Sequence, residues 1–441
     1  MTALRIAGGR VVTAGGVLDG ADVLVEDGQV VAVGEPAAGA RELDARGCYV
    51  LPGGFDPHAH VYEGLGDAPA AALRSGTTAV EAYAPPDPGE RVEAACARWA
   101  ALAAGAACRI EPLATVYEPR TLDEASFAAL AAQGVRGIKL FLAYRELGMD
   151  ADDEILMRAL LWGRQYGVVP RLHCENAGAI HVLRERLRAA GDLGVDAHPR
   201  SRPPLVEEEG IRRALDLARL TSAPVYIVHV STAGGVAAIR RARADGLDVT
   251  GETCPQYLLL DEAVYAGPAA AMGVISPPLR PRAHVEAVWE GVLDGTLSAI
   301  GSDHSHRGSR PSSPFDELVS GGPGVAARMP LMLTASLHDA RLPVELATSL
   351  LCGGRSVEPG MPADILVWDP EPAWTLTPAT LGEGLDASVW DGTGCAGVRA
   401  PYCATARCWH EDRPDRLRVD CGNASGELER ARRDGRLRLR P

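Results

Sequence analysis

The fold of this chain is organised around one short stretch, Leu51-Pro-Gly-Gly-Phe-Asp-Pro-His-Ala-His60. It begins with apolar residues and ends in a His-x-His pair, which is typical of a buried strand with polar groups at its end. Side chains alternate along a strand, so His58 and His60 point to the same side. Two such imidazoles can bind one metal ion, although the pair alone is equally compatible with two polar residues at a loop mouth.

The composition predicts a folded chain with a sizeable core. The chain has 441 residues, of which 46% are hydrophobic and 23% charged, as expected for one large domain or two. Its net charge of −14 argues against nucleic acid or an anionic membrane surface as a partner, because both bind basic patches. The start of the chain has no signal-peptide pattern, and no apolar run approaches the length of a membrane span. These features predict a cytoplasmic protein.

The ten cysteines are scattered without a regular framework, as is usual for free thiols in the cytoplasm. The four in the C-terminal region have spacings that fit no compact zinc motif and are also expected to be free thiols: Cys395, Cys403, Cys408 and Cys421.

Strands alternate with helices along the middle of the chain. The predicted strands are Cys48–Phe55, Thr77–Tyr83, Arg109–Val116, Gly137–Leu142, Val168–His173, Val225–Val230, Asp248–Thr253 and Leu297–Gly301. The predicted helices between them are Ala68–Ser75, Glu90–Ala104, Leu122–Gln133, Asp152–Tyr166, Val206–Thr221, Gly234–Asp245 and Arg282–Asp294. Eight strand–helix units over roughly 300 residues predict an α/β fold, a (β/α)₈ TIM-like barrel.

Both ends of the chain differ from this middle part. Residues 1–50 contain short alternating runs separated by Gly-rich turns, and Ala363–Asp369 is again β-like. We therefore expect a small β-sandwich domain built from residues 1–50 and 356–410, and a barrel over residues 51–355. Residues 411–441 form a charged tail, in which Glu427–Arg433 could form a short helix.

Polar residues lie at the C-terminal ends of five predicted strands, where the active site of such a barrel is found. They are His58, His60, Lys139, His173, His229 and Asp303. Each has a structural explanation when taken alone, but six at one barrel mouth favour a site for divalent metals, which bind imidazole and carboxylate. Lys139 stands inside an apolar run, where an unpaired ammonium is costly. Its ammonium group must extend to solvent, pair with a carboxylate, or lose its charge, for example when the amine carries CO₂ as an anionic carbamate.

Several stretches resemble the cyclic amidohydrolase branch of the amidohydrolase superfamily, which contains hydantoinases and dihydropyrimidinases, with allantoinases and dihydroorotases as relatives. The resemblance covers about residues 1–370. Besides the opening stretch, it rests on Lys139-Leu-Phe-Leu-Ala-Tyr144, His173-Cys-Glu-Asn176, Tyr226-Ile-Val-His-Val230, Gly251-Glu-Thr-Cys-Pro-Gln-Tyr257, Ser276-Pro-Pro-Leu-Arg280 and Gly301-Ser-Asp-His304.

The resemblance implies a binuclear hydrolase that opens a cyclic amide or imide ring by attack of a metal-bridging hydroxide. One divalent metal would be held by His58, His60, carbamylated Lys139 (N6-carboxylysine) and Asp303, and the second by Lys139, His173 and His229. Zn²⁺ is the expected metal, with Mn²⁺ or Co²⁺ as alternatives. The resemblance also implies a homo-oligomer, either a dimer or a tetramer.

The same resemblance implies roles for residues around the metals. Asp303 would take a proton from the attacking hydroxide and pass it to the departing ring nitrogen. Tyr144 would donate to the developing oxyanion, and Ser276 would bind the imide edge of the substrate through its backbone. Ser320 would also contact the substrate, although it stands where the branch often has Asn.

Departures from the family pattern leave alternatives open. Only Val61–Ala72 separates the metal pair from the next strand, where related enzymes carry a longer loop over the substrate. His306 resembles an allantoinase pattern, whereas Tyr62, in place of an Arg, disfavours dihydroorotase. An enzyme of specialised metabolism that acts on an unusual lactam or ureide is a further possibility. A scaffold protein without metals is disfavoured, because all six ligands are present.

Overall fold

The structure is a computed structural model and describes residues 3–34, 41–60, 66–305, 314–315, 317–318, 320–382 and 388–403. Among these residues, no helix combines the length and the apolar character needed to cross a membrane. Several predictions lie outside the described residues: Tyr62, His306, Cys408, Cys421, the helix at Glu427–Arg433 and the tail 411–441.

The N-terminal strands form a small sheet with both antiparallel and parallel pairs. They are β1 (Leu4–Thr13), β2 (Gly16–Glu26), β3 (Gln29–Gly34), β4 (Arg41–Asp44) and β5 (Tyr49–Pro52). Strand β1 pairs antiparallel with β2 and parallel with β4 and β5. Valines and isoleucines on one face of these strands are buried, in the alternation that a sheet with one covered face requires.

The next eight strands form a parallel sheet that closes into a barrel. They are β6 (Gly54–Ala59), β7 (Thr77–Ala84), β8 (Arg109–Thr115), β9 (Gly137–Phe141), β10 (Val169–His173), β11 (Val225–Ile227), β12 (Val249–Thr253) and β13 (Ala299–Ile300). Each pairs with its neighbours in chain order. The ends meet just after β13, where a parallel bridge joins His304 to Ala59 and the amide of Asp303 donates to the carbonyl of His58 at 3.0 Å. The (β/α)₈ prediction is confirmed.

Helices lie between the barrel strands and after the last of them, and several pack against the barrel. They are α1 (Ala68–Arg74), α2 (Val92–Ala103), α3 (Glu124–Ala132), α4 (Asp153–Tyr166), α5 (Ala177–Ala189), α6 (Ala197–Ser201), α7 (Pro204–Thr221), α8 (Ala233–Ala244), α9 (Pro255–Leu259), α10 (Arg282–Leu293), α11 (Arg328–Leu337), α12 (Val344–Leu351) and α13 (Pro378–Leu381). The sequence did not predict α5, because it buries only Ala177 and Ile180 and so lacks a clear apolar stripe.

The last two strands return to the small sheet. They are β14 (Asp364–Leu376), which pairs antiparallel with β5, and β15 (Thr393–Cys403), which pairs with β14. The small sheet is therefore built from both ends of the chain, as predicted. Its domain boundaries stay a prediction, as does the free thiol at Cys403, whereas Cys395 is a buried free thiol.

The opening stretch is divided between the two sheets, so the prediction of one strand over Cys48–Phe55 was wrong. Strand β5 belongs to the small sheet and β6 to the barrel, and the change falls at Gly53. The amide of Gly53 donates to Asp364 in β14 at 2.7 Å, whereas that of Gly54 donates to Gly76 on the barrel side at 2.9 Å. A Cβ on Gly53 would lie only 2.2 Å from Oγ1 of Thr78, so glycine lets the chain pass between the sheets.

Candidate metal centre and active site

Three of the predicted ligands form a compact group at the barrel mouth. Possible ligand atoms of His58, His60 and Asp303 all lie within 4.8 Å of one another. Oδ1 of Asp303 lies 3.0 Å from Nε2 of His58 and 3.7 Å from Nε2 of His60. The strand positions explain this: His58 is in β6, His60 follows it, and Asp303 follows β13, which adjoins β6 at the closure. Two imidazoles and a carboxylate in this arrangement form a candidate site for a divalent metal.

Lys139 lies in the same mouth, fully buried in β9. Its Nζ is 3.3 Å from Nε2 of His58 and lies 4.9 Å from the centre of the Tyr83 ring. Burial lowers the pKa of Lys139 to about 8, although Asp303 and Glu252 act in the opposite direction. A larger fraction of this amine is therefore uncharged near neutral pH than for an exposed lysine.

His173 and His229 complete the group of six. Their ring centres are 4.6 Å apart, and the ring centres of His229 and His58 are 5.5 Å apart. Burial lowers the pKa of His173 and lowers that of His229 further, so both rings are held neutral. The Nδ1 atom of His229 is buried and has no hydrogen-bond partner in the described part of the chain. A buried nitrogen without a partner is costly, and a metal ion at this position would satisfy it.

Two glutamates that the sequence analysis did not assign hold these histidines. Glu252 accepts from Nδ1 of His58 at 2.6 Å and from the backbone amide of His229 at 3.2 Å. Glu175 lies 2.7 Å from Nε2 of His173. Carboxylates in this position set the tautomer and the orientation of ligating imidazoles. Glu252 carried a usable signal, because it lies in Gly251-Glu-Thr-Cys-Pro-Gln-Tyr257, one of the stretches that carry the family resemblance.

Three residues of the site have backbone in the left-handed region. Tyr144 has a φ of 64°, His229 of 40° and Asp303 of 49°. Non-glycine residues rarely adopt such angles, and they do so mainly where the surrounding structure holds them for function. Each follows the end of a barrel strand, where the turn directs the side chain toward the mouth.

A cavity of about 490 Å³ opens over these residues. Its walls include all three predicted substrate contacts, which are Tyr144, Ser276 and Ser320, together with Lys139 and Asp303. Oγ of Ser320 donates to Oγ of Ser276 at 3.0 Å. The ring centre of Tyr144 lies 5.1 Å from that of His173. Burial raises the pKa of Tyr144 well above its ordinary value, so its hydroxyl is a hydrogen-bond donor at neutral pH. The cavity is large enough for a small cyclic molecule.

Comparison with known proteins identifies the family. The chain is 35% identical over 429 residues to a D-hydantoinase from Streptomyces coelicolor. The aligned region covers 89% of this chain and 91% of the relative. It is 30% identical over 423 residues to a D-hydantoinase from Geobacillus stearothermophilus, with 89% of each chain covered. This chain belongs to the hydantoinase and dihydropyrimidinase family of cyclic amidohydrolases. No family model matches it.

Solved structures of hydantoinase family members have the same fold. A dihydropyrimidinase from Brevibacillus agri superposes with a TM-score of 0.84 at 29% identity, covering 92% of this chain and 94% of that one. A D-hydantoinase from a Bacillus species gives a TM-score of 0.84 at 30% identity, covering 91% and 94% of the two chains. The predicted resemblance to this branch is confirmed.

Proposed function

We propose that the protein is a metal-dependent hydrolase that opens the ring of a hydantoin-like or dihydropyrimidine-like cyclic amide or imide. The observation that carries the proposal is the convergence of His58, His60 and Asp303 at the barrel mouth, beneath a cavity that suits a small ring. Membership of the hydantoinase family supports the same reaction class. A homo-oligomeric state and a cytoplasmic location stay predictions of the sequence.

We propose two divalent metal ions, which the chemistry of the donors suggests are zinc, with Mn²⁺ or Co²⁺ as alternatives. The first would be held by His58, His60, Lys139 and Asp303, and the second by Lys139, His173 and His229. CO₂ would convert Lys139 into an anionic carbamate that offers oxygen ligands, and its buried amine, with the pKa lowered to about 8, supports this reaction. When bound, such metals polarise the amide carbonyl and lower the pKa of water.

Asp303 is the proposed proton carrier. Burial would raise the pKa of this carboxyl, but His58, His60 and Lys139 outweigh that effect and lower it to about 2. Asp303 is therefore ionised at neutral pH and can accept the proton of the attacking water. As the carbon–nitrogen bond of the ring breaks, the same proton passes to the departing nitrogen, and the other product group is a carboxylate, because the second proton of the water is released to solvent.

Tyr144 and the two serines position the ring. The Tyr144 hydroxyl, protonated at neutral pH, would donate to the carbonyl oxygen as negative charge develops there. Backbone groups of Ser276 would pair with the imide edge, with Ser320 contributing through its own backbone. The hydrogen bond between the two serine hydroxyls holds these segments together on one cavity wall.

A turnover screen tests the proposal directly. Protein reconstituted with Zn²⁺ and bicarbonate would be assayed with hydantoin and dihydrouracil, and with allantoin, dihydroorotate and simple cyclic imides for comparison. We expect ring opening of hydantoin or dihydrouracil, and a loss of nearly all turnover in Asp303→Ala. If metal-loaded protein opened none of these rings, the proposed function would be wrong.

A further inference from the structure

One wall of the cavity is polar and has no part in the proposed chemistry. It is formed by His198 in the short helix α6 and by Arg202, the residue that follows α6. Both side chains line the cavity although they are almost completely buried, with exposed fractions of 5% each. A buried polar wall facing a cavity is costly unless a ligand or water completes its hydrogen bonds.

His198 presents an acceptor to this cavity. Its Nε2 lies 2.7 Å from the carbonyl oxygen of Ile275. A carbonyl can only accept, so Nε2 carries the hydrogen. Burial lowers the pKa of His198 to about 4, and the nearby charge of Arg202 acts in the same direction, so the ring is neutral. The other nitrogen, Nδ1, is then a hydrogen-bond acceptor and has no partner among the residues described.

Arg202 presents donors to the same cavity. Its Nη1 donates to Oε2 of Glu175 at 2.5 Å, and this is the one hydrogen bond of the guanidinium within the described ranges. Its other N–H groups make no hydrogen bond within the described ranges, and Arg202 lines the cavity, so they can donate to a molecule bound there. The guanidinium lies 5.3 Å from the centre of the Tyr144 ring, which places these donors beside the reacting centre.

We propose that this wall recognises a primary amide, either a carboxamide or a ureide, on the substituent of the substrate ring. The amide oxygen accepts from Arg202, and the amide N–H donates to Nδ1 of His198. The proposal rests on the proposed ring-opening function and names the substrate class within it. The distance between Arg202 and the Tyr144 ring suits a short substituent on the carbon next to the attacked carbonyl.

Other substituents match the wall less well. A carboxylate would pair with Arg202 but would place an oxygen lone pair against the lone pair of His198. An apolar substituent would leave the guanidinium donors and the imidazole acceptor buried without partners. Sites built to hydrogen-bond a substrate group discriminate strongly against analogues that lack it, because the buried polar groups of the site then stay unpaired.

Three hydantoins with 5-substituents of nearly equal size test the proposal: carboxamidomethyl, isobutyl and carboxymethyl. We expect the metal-loaded protein to prefer carboxamidomethyl over each of the others by at least about tenfold in kcat/KM, as one well-made hydrogen bond allows. Equal rates on carboxamidomethyl and isobutyl would overturn the inference while leaving the proposed function intact. A preference for carboxymethyl would also overturn the inference, because it would show that the wall recognises a negative charge through Arg202 and not an amide. Failure to open any ring would overturn both.

Variants of His198 separate recognition from structure. His198→Leu should lower the ratio of kcat/KM for carboxamidomethyl to that for isobutyl about tenfold. His198→Gln should restore much of the ratio, because an amide can both donate to Ile275 and accept from the substrate. His181→Leu, on an exposed part of α5 outside the cavity lining, is the matched control and should leave the ratio unchanged.

Metal content provides the second measurement. Within the described ranges, the side chain of His198 contacts Ile275 and Tyr265 and none of the proposed ligands, so His198→Leu should bind as much zinc as the parent protein. If the variant lost activity equally on both substrates, with or without loss of zinc, the role of His198 would be structural and the inference would be wrong. Arg202 is a poorer test, because its partner Glu175 also holds His173.

Discussion

At the scale of single residues, the site depends on side chains that hold its ligands as much as on the ligands. Glu252 is fully buried, yet contacts with His58 keep its pKa below the ordinary value against the effect of burial. The same carboxylate accepts from Tyr226 at 2.7 Å, and so it joins three groups of the barrel interior. One carboxylate therefore orients the ring of His58 and the backbone of His229 together.

Replacing Glu252 should weaken metal binding before it affects the fold. In Glu252→Gln the hydrogen bond to His58 loses its charge and the ring loses its fixed tautomer. We expect metal affinity to fall about 10- to 100-fold, the usual effect of removing such a partner. Chelator competition measures the affinity. Tyr226→Phe, which removes one hydrogen bond to the same carboxylate, should have a smaller effect. An unchanged affinity in Glu252→Gln would contradict this role.

Tyr144 provides a second prediction at this scale. Tyr144→Phe removes only the hydroxyl and keeps the ring that packs beside His173. If the hydroxyl donates to the developing oxyanion, kcat should fall on the order of 10²-fold while the metal content stays equal to that of the parent protein. Steady-state kinetics and metal analysis of the same preparation would decide. A variant that kept the parent kcat would exclude Tyr144 from the chemistry.

At the scale of elements, the passage from β5 to β6 connects the small sheet to the metal site. Oγ1 of Thr78 in β7 donates to Oδ2 of Asp364 in β14 at 2.8 Å, directly across Gly53. Arg355 also reaches this point, donating to the carbonyl of Gly53 at 2.7 Å. Strand β6, which carries His58, is therefore anchored at its start by contacts with the other sheet.

A side chain at position 53 should loosen this connection. In Gly53→Ala the new Cβ would lie 2.2 Å from Oγ1 of Thr78 and 2.8 Å from Oδ1 of Asp364. The side chains of Thr78 and Asp364 are hydrogen-bonded to each other, so neither can move away from the new Cβ without breaking that bond. We expect a loss of about 1–3 kcal/mol in the free energy of unfolding, as for other overpacked sites. Urea unfolding measures it, and Gly105→Ala, with open space around the Cβ, is the control. Equal stability of the two variants would refute the argument.

At the scale of the whole molecule, the two sheets share one hydrophobic core. Val12, Leu51, Leu366 and Trp368 of the small sheet belong to the same buried cluster as the barrel interior. The proposed ligands come from or follow five different barrel strands, so metal binding would cross-link the barrel at its mouth. Local stability around the site and the stability of the molecule are therefore coupled.

Metal removal should lower the stability of the entire chain. A ligand that binds only the folded state stabilises it by about 2.7 kcal/mol at a free concentration of 100 Kd. We expect a chelator to lower the thermal midpoint and Zn²⁺ with bicarbonate to restore it. Lys139→Ala should bind fewer ions and gain less from zinc, and small carboxylic acids could replace part of the missing carbamate. A midpoint that is independent of metal in the parent protein would oppose the binuclear site.

Much of this fold could be predicted from residue patterns. Apolar runs bounded by glycine marked the strands, and their bounds differ from the structure by only a few residues for β7 to β12. The helix α5 was not predicted, because its buried face is too small to give the sequence a helical repeat of apolar residues. The hydrogen bonds of Glu252 and the open donors of Arg202 could not be predicted either, because the partners lie far apart in the chain.

The sequence by itself determined the barrel and the six residues proposed as ligands, because periodicity and strand-end position are local properties, and its motifs carried the resemblance to the family. Only the tertiary structure decided that Leu51–His60 passes between two sheets at Gly53 and that His58, His60 and Asp303 meet within 4.8 Å. It also decided that His198 in α6 and Arg202 just after it line the cavity. The physical reason is that distances, burial and unpaired hydrogen-bonding groups arise from packing between distant segments, which no single stretch of sequence contains.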